Sequence, residues 1–392
     1  MRRVAFTLIG GGKGTGGYNY LLNLVRVLCL HESKRVTSVL LVGTDVPDDV
    51  LEPFRAERHA EIVQTPAMNE SRKSAALASA IVFGADSKMR NLLAELRIDV
   101  VFESAQFFGW RIGLPTIAWI PDFQHRRLPH MFTRFGYWKR EIGFRAEIAA
   151  HRTFMLSSED ARRDCEDFYP STAGRTRAIP FAVPPSDPDL LPEARAVADG
   201  YGLPSRFFFM PNQLSKHKNH LLVLDALALL RSRNADVVIV SSGKQADERH
   251  PDHFSSVLAK VESLGLQQQF RMLGLIPYAH LLALMQASDA LLNPSLFEGW
   301  STPVEEARGL GVPLLLSDLD VHREQAADDA TYFDRHSAEA LANALEQFQP
   351  PGTDERAARA AKGRASASER VRRFAAEFAL LVTDCAAGRA AQ

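Results

Sequence analysis

Two glutamates with seven residues between them, Glu298 and Glu306, flank a segment that can grip an anion. The segment reads Phe297-Glu298-Gly299-Trp300-Ser301-Thr302-Pro303-Val304-Glu305-Glu306. Thr302 suits a helix N-cap and Pro303 the first helical position, while Glu305, three residues after the cap, completes a capping box. A helix beginning here aims the amides of Trp300, Ser301 and Thr302, with the positive end of its dipole, at whatever precedes it. Carboxylates beside those amides accept hydrogen bonds from hydroxyls. Amides for a diphosphate and carboxylates for a sugar or ribose together describe a nucleotide-sugar site. The alternative is a pair of surface glutamates that only favour the dipole.

A second cluster, Pro211-Asn212-Gln213-Leu214-Ser215-Lys216-His217-Lys218-Asn219-His220, precedes another expected helix. Cations at a helix start oppose its dipole, so a bound anion explains Lys216 and Lys218 better than a solvated face does. The third signal is the glycine run from Gly10 through Gly17. Its Gly12, Gly14 and Gly17 match the dinucleotide pattern GxGxxG, but no acidic residue stands at the spacing that pattern needs. The fourth is Trp119-Ile120-Pro121-Asp122-Phe123-Gln124-His125, after an expected strand; Asp122 is the stronger candidate for chemistry, and a lone His125 is more often structural. Asp318-Leu319-Asp320 is read as a turn, because any two aspartates match so short a metal motif.

The stretch Asn293-Pro294-Ser295-Leu296-Phe297-Glu298-Gly299-Trp300, followed by Glu306-Ala307 and Gly311-Val312-Pro313, resembles the signature of the retaining glycosyltransferase family 4 (group 1). That resemblance implies the GT-B fold, a nucleotide-diphosphate sugar as co-substrate, no cofactor, no obligatory metal and retention of anomeric configuration. It implies that Glu298 meets the donor sugar and Glu306 the ribose hydroxyls, with Gly299, Trp300, Ser301 and Thr302 at the donor. Lys218 matches the family's diphosphate lysine. The family's diphosphate arginine falls on Gln213, which carries no charge, so either Lys216 substitutes for it or the diphosphate is held more weakly. Gly16 and Gly17 correspond to glycines that let the backbone approach donor or acceptor. The family's His-Asp pair falls on Pro121-Asp122, with His125 displaced by three. The expected catalytic set is therefore Glu298, Lys218, Asp122 and His125.

Two doubly wound α/β domains are expected to position these residues. In the first half, apolar runs at Val4–Ile9, Val36–Val42, Asp99–Phe102, Thr116–Ile120, Thr153–Leu156 and Arg177–Pro180 read as buried parallel strands. Helical patterns lie between them, at Gly17–Leu30, Lys73–Phe83, Ser87–Leu96, Tyr137–Ala150 and Glu159–Phe168. Pro180 to Pro192 holds five prolines and no periodicity, which marks a linker. The alternation then restarts with strands at Arg206–Met210, Asp236–Ser241, Phe270–Leu273, Ala290–Asn293 and Pro313–Leu316. The expected division is 1–182 for an acceptor domain, 183–204 for the linker, 205–365 for a nucleotide-sugar domain and 366–392 for a helix returning to the first domain. Val371, Phe374, Phe378 and Leu381 recur at helical spacing on that last helix. Open α/β sheets bind ligands at the carboxyl ends of their strands, so a donor cleft between the two domains is the expectation.

Composition sets the outer bounds. The 392 residues are 46% hydrophobic and 24% charged, with three cysteines and a net charge of −1. No overall field recruits nucleic acid. Three scattered cysteines fit a cytoplasmic protein without disulfides. No apolar run approaches the roughly 18 residues that cross a bilayer. Between 126 and 145, however, basic residues interleave with aromatic ones, which suits peripheral contact with the inner face of a membrane or a lipid-linked acceptor. The reading is a hexosyltransferase of polysaccharide biosynthesis, with mannose the leading donor sugar and a glycan or lipid-linked acceptor. Its rivals are a nucleotide-sugar epimerase or hydrolase, an NAD-dependent oxidoreductase and a non-catalytic sugar-binding module.

Overall fold

The computed structural model describes residues 1–8, 16–104 and 106–388. Gly10 to Thr15, most of the glycine run, lie outside them. The strands are β1 (Arg2–Thr7), β2 (Val36–Val42), β3 (Ala60–Gln64), β4 (Val100–Glu103), β5 (Thr116–Ile120), β6 (Thr153–Leu156), β7 (Thr176–Ala178), β8 (Phe208–Met210), β9 (Ile239–Ser241), β10 (Phe270–Met272), β11 (Leu291–Asn293), β12 (Leu314–Ser317) and β13 (Ala330–Phe333). The helices are α1 (Gly16–His31), α2 (Asp48–Arg55), α3 (Lys73–Val82), α4 (Ser87–Glu95), α5 (Gln124–Arg127), α6 (Arg134–Ala149), α7 (Glu159–Phe168), α8 (Ala194–Gly200), α9 (His220–Ser232), α10 (His253–Ser263), α11 (Tyr278–Ala287), α12 (Thr302–Leu310), α13 (Asp320–Ala326), α14 (Ala338–Gln347) and α15 (Thr353–Ala386).

The chain forms two compact units. The first comprises Met1–Phe123, Arg134–Ala182 and Arg370–Gln392. Its parallel sheet has the order β3-β2-β1-β4-β5-β6-β7. All seven residues of β2 are buried, as a strand covered on both faces requires. The C-terminal part of α15 belongs to this unit: Val371, Phe374, Phe378 and Leu381 are buried, and the Phe378 ring stacks 6.0 Å from Phe6. β3 has no counterpart in the expected strands. It is the sheet's edge and only partly buried, so it carries no continuous apolar run.

The second unit comprises Gln124–Thr133 and Val183–Glu369. Its parallel sheet has the order β10-β9-β8-β11-β12-β13. The strand order reverses between β8 and β11, where Leu291 pairs with Phe209. That is the switch point at which such sheets open a crevice beyond the carboxyl ends. Residues 183–204, the expected linker, group with the second unit and carry local structure. They hold a 3-10 turn at Pro188–Leu190 and α8, whose Ala198 is fully buried, while Tyr201 hydrogen-bonds His280 of α11. β13 and α13 also escape the sequence pattern; β13 is again an edge strand of mixed burial.

Gly311 ends α12 in the left-handed conformation, at φ +73°, and it touches α15. A Cβ there would stand 2.3 Å from the backbone of Arg359, so this close approach admits glycine alone.

Candidate functional site

β8 and β11 are neighbours, so the loops that follow them meet at the carboxyl edge of the second unit's sheet. After β8 the chain makes a 3-10 turn at Lys216–Lys218 and passes through Asn219 at φ 62°. Asn219 tolerates that left-handed conformation, and its amide donates to the carbonyls of Pro294 (3.1 Å) and Arg335 (2.9 Å). The Leu296 amide donates to the His217 carbonyl at 2.8 Å. These bonds fasten one loop to the other and fix the stem of Lys218.

Lys218 Nζ donates to Glu298 Oε1 at 2.6 Å, with 16% and 9% of their side chains exposed. Ser295 Oγ lies 2.7 Å from the same carboxylate oxygen and 2.6 Å from Asn293 Oδ1. Asn293 Nδ2 in turn donates to Ser301 Oγ at 2.9 Å. Burial by itself would raise the Glu298 carboxyl. The Lys218 ammonium, helped by the His322 and His217 rings, holds it instead at about 2. Glu298 is therefore a fixed anion at neutral pH and accepts hydrogen bonds without exchanging protons.

His322 is fully buried beneath this pair. Its Nδ1 sits 2.9 Å from the Ser317 carbonyl and 3.1 Å from Ser317 Oγ, and that hydroxyl donates to the Ser295 carbonyl at 2.7 Å. Burial lowers the ring's pKa, which favours the neutral form with its proton on Nδ1. Nε2 is left buried, without a partner among the described residues.

The N-terminus of α12 differs from the expected one. Ser301, not Thr302, is its N-cap, and the Ser301 side chain makes no capping hydrogen bond among the described residues. Glu305 does not complete a capping box: it is buried against Arg308 (3.0 Å) and Gln325 (3.4 Å). The Ser301 amide is also engaged, by Gln325 Oε1 at 3.3 Å. Thr302 is exposed. Among the described residues no hydrogen bond engages the amides of Gly299, Trp300 or Thr302, so these three remain available to an anion.

Glu306 lies in a separate network. Its Oε1 accepts from the Tyr278 hydroxyl at 2.8 Å, and residues 183–186 line a small hollow with both side chains. Although Glu306 keeps some contact with solvent, packed surroundings push its carboxyl up to about 7. The Tyr278 hydrogen bond opposes that rise and neighbouring Glu305 adds to it.

Other expected site residues are not gathered here. Gln213 and Lys216 are exposed; the Lys216 amide donates to Asp247 Oδ2 at 3.0 Å. Gly16 and Gly17 open α1 in the first unit. Asp122, also in the first unit, accepts from Arg140 at 3.2 Å. His125 is fully buried, edge-on to Phe132 at 6.3 Å, within the short stretch that belongs to the second unit. Asp122 and His125, three residues apart in the chain, thus fall in different units. Asn293 and Ser295 open the stretch that carries the family resemblance but had no site role there, and His322 and Tyr278 had none either. The signal for the first two was a polar ending, Asn-Pro-Ser, to an apolar buried strand.

Residues 201–364 match the family model described as glycosyl transferases group 1. This stretch, less than half of the chain, is thus similar to group 1 glycosyltransferases. No curated protein matches the chain. Among solved structures, a glycosyltransferase from Rickettsia africae ESF-5 is similar with a TM-score of 0.72 at 14% identity, covering 98% of each chain. Anabaena Alr3699/HepE in complex with UDP and glucose gives 0.71 at 16% identity, over 98% of this chain and 100% of that one. Sucrose-phosphate synthase (tll1590) from Thermosynechococcus elongatus gives 0.69 at 14%, over 99% and 100%. The fold is GT-B, with both parallel sheets accounted for. Lys218, Glu298 and Glu306 all lie inside the matched residues.

Proposed function

We propose that the protein is a retaining glycosyltransferase. It moves a hexose, mannose being the first to test, from a nucleotide-diphosphate sugar to a glycan or lipid-linked saccharide in polysaccharide biosynthesis. One observation carries this reading: the buried Lys218–Glu298 pair stands at the switch point of the second sheet, beside the start of α12. A cation, free amides and a permanent carboxylate at one sheet edge suit a diphosphate and the sugar attached to it.

In this reading the diphosphate takes the amides of Gly299, Trp300 and Thr302 and draws Lys218 toward it. Glu298 then accepts hydrogen bonds from sugar hydroxyls, and Glu306 from those of the ribose. The bond from the anomeric carbon to the diphosphate oxygen breaks, and negative charge grows on the leaving group. Lys218 and the helix dipole stabilise that charge, which is where electrostatic catalysis contributes most. The acceptor oxygen bonds to the same face of the sugar, and its proton passes to the leaving phosphate. Lys218 takes the neutralising role, so the reading needs no metal ion and no cofactor. Acceptor contacts fall to the first unit, through Gly16, Gly17 and Asp122. The enzyme would work in the cytoplasm, at the inner face of the membrane where its acceptor is lipid-linked.

The structure of Alr3699/HepE holds UDP, so UDP and GDP are the first nucleotides to try. Thermal shift with each, and with their hexose conjugates, tests binding, because a ligand raises apparent stability by mass action. Nucleotide diphosphate released only when a saccharide acceptor is present supports transfer. Equal release without acceptor would assign the site to a hydrolase instead.

A further inference from the structure

In the basic and aromatic stretch 126–145, residues up to Thr133 belong to the second unit and those from Arg134 to the first. α6 alone, however, has an unusual distribution of side chains. An ordinary surface helix buries its apolar residues and exposes its charges. α6 exposes Phe135 (79%), Trp138 (55%) and Ile142 (64%), while its two carboxylates, Glu141 and Glu147, are buried. Glu141 accepts from the Tyr169 hydroxyl and from Arg145, both at 2.7 Å. Burial pushes the Glu147 carboxyl up to about 8, which leaves it largely uncharged at neutral pH.

At 3.6 residues per turn, Phe135, Trp138 and Ile142 fall within an arc of roughly 60°. Lys139 lies on one side of that arc, and Arg145 and Arg134 on the other. All three are exposed. Every charge that α6 turns outward is therefore positive, and it borders an apolar stripe containing a tryptophan. Aromatic side chains settle at the bilayer interface, and flanking cations are drawn to acidic headgroups.

We infer that the exposed face of α6 docks on an anionic bilayer surface, inserting Phe135, Trp138 and Ile142 between headgroups paired with Arg134 and Lys139. Charge complementarity selects this occupant: a second copy of the chain would bring the same positive rim against itself. The inference stands on α6 and is independent of the donor site.

The test is flotation of the full chain with vesicles of phosphatidylcholine alone or with one quarter phosphatidylglycerol. Binding is expected to the acidic vesicles, with tryptophan emission shifting to the blue, and to weaken about tenfold or more on neutral vesicles or at high salt. Phe135→Ser/Trp138→Ser/Ile142→Ser should abolish it, and Arg134→Glu/Lys139→Glu should do the same. Nucleotide thermal shift should survive in both variants, which confirms their fold. Failure to bind acidic vesicles, equal binding to neutral ones, or binding that survives both sets of substitutions would overturn the inference. So would self-association lost in the triple variant without vesicle binding, which would assign the stripe to a second copy. Loss of nucleotide binding in the unsubstituted protein, with vesicle binding intact, would remove only the glycosyltransferase reading.

Discussion

Lys218 Nζ stands 2.6 Å from Glu298 Oε1 although 80 residues separate them in the chain. Each is the other's counter-charge in a largely dry setting. Taking away one partner therefore acts on stability and on chemistry together, and the two effects have to be told apart.

Lys218→Met leaves a buried carboxylate without its cation, at a cost of about 3 kcal/mol, the lower end for a broken buried pair because Lys218 keeps some exposure. Adding Glu298→Gln removes the stranded charge and should restore most of that stability, read by chemical denaturation. Turnover should stay down by about 10²–10³ in both proteins, because the leaving diphosphate has lost its ammonium. If the double variant recovers activity as well as stability, the pair is structural only.

The Glu298 carboxyl is held at about 2, below its ordinary value of 4.5. A depressed carboxyl adds stability that is fully present above the unfolded value and is lost as pH falls toward the folded one. Acid unfolding of the unsubstituted protein should thus have a component between about pH 4.5 and 2. Glu298→Gln should remove that component, which denaturation midpoints measured across this window will show.

Much of this site was legible before the fold was known. The carboxylate pair, Lys218 and the helix at 302 follow from residue type and spacing, since a proline and small capping residues announce a helix start. Three things stayed hidden. Ser301 rather than Thr302 stands at the N-cap position of α12, and its amide donates to Gln325 of α13, 24 residues away. Glu305 is turned inward by Arg308 and Gln325, a choice made by tertiary packing rather than local preference. The stretch around His322 reads as structural, and only folding brings the ring to the Lys218–Glu298 pair. Among the elements, β3 and β13 were missed for a shared reason: edge strands are half-solvated and need no apolar run. The exposed stripe of α6 was visible as composition, but which side its glutamates take depends on Tyr169 and on the packing around Glu147.

Arg152 donates to both carboxylate oxygens of Glu103, at 2.9 and 3.0 Å, and to the Gly109 carbonyl at 2.7 Å, with almost nothing exposed. Glu103 also receives the Phe108 amide at 2.9 Å. Arg152→Met should cost about 3–5 kcal/mol, since a fully buried carboxylate loses its cation and a carbonyl its donor. Equilibrium unfolding in urea measures this, and a change below about 1 kcal/mol would refute it.

Gly311→Ala meets two obstacles at once, a φ of +73° and the Arg359 backbone 2.3 Å from the new methyl. The loss should be on the order of 2–4 kcal/mol, more than backbone strain alone imposes, because backbone cannot swing aside as a side chain does. A lowered denaturation midpoint with an unchanged denaturant slope is the expected signature.

The pH dependence set by Glu306 is opposite in sign to that set by Glu298. Burial raises its carboxyl to about 7 from 4.5, so the folded state resists ionising it. Stability is lost as pH rises above the unfolded value, with the full penalty reached beyond the folded one. Glu306→Gln, which cannot ionise, should match the unsubstituted protein near pH 4 and exceed it in thermal midpoint at pH 8. Tyr278→Phe should do the reverse at pH 8, because it removes the hydroxyl that supports the carboxylate at 2.8 Å. If Glu306 takes the ribose hydroxyls, nucleotide affinity in the unsubstituted protein should rise between about pH 6 and 8, as the acceptor form fills. The glutamine variant should bind more weakly and without that rise. A flat affinity profile in the unsubstituted protein would separate Glu306 from the nucleotide and leave Lys218 and Glu298 to carry the donor alone.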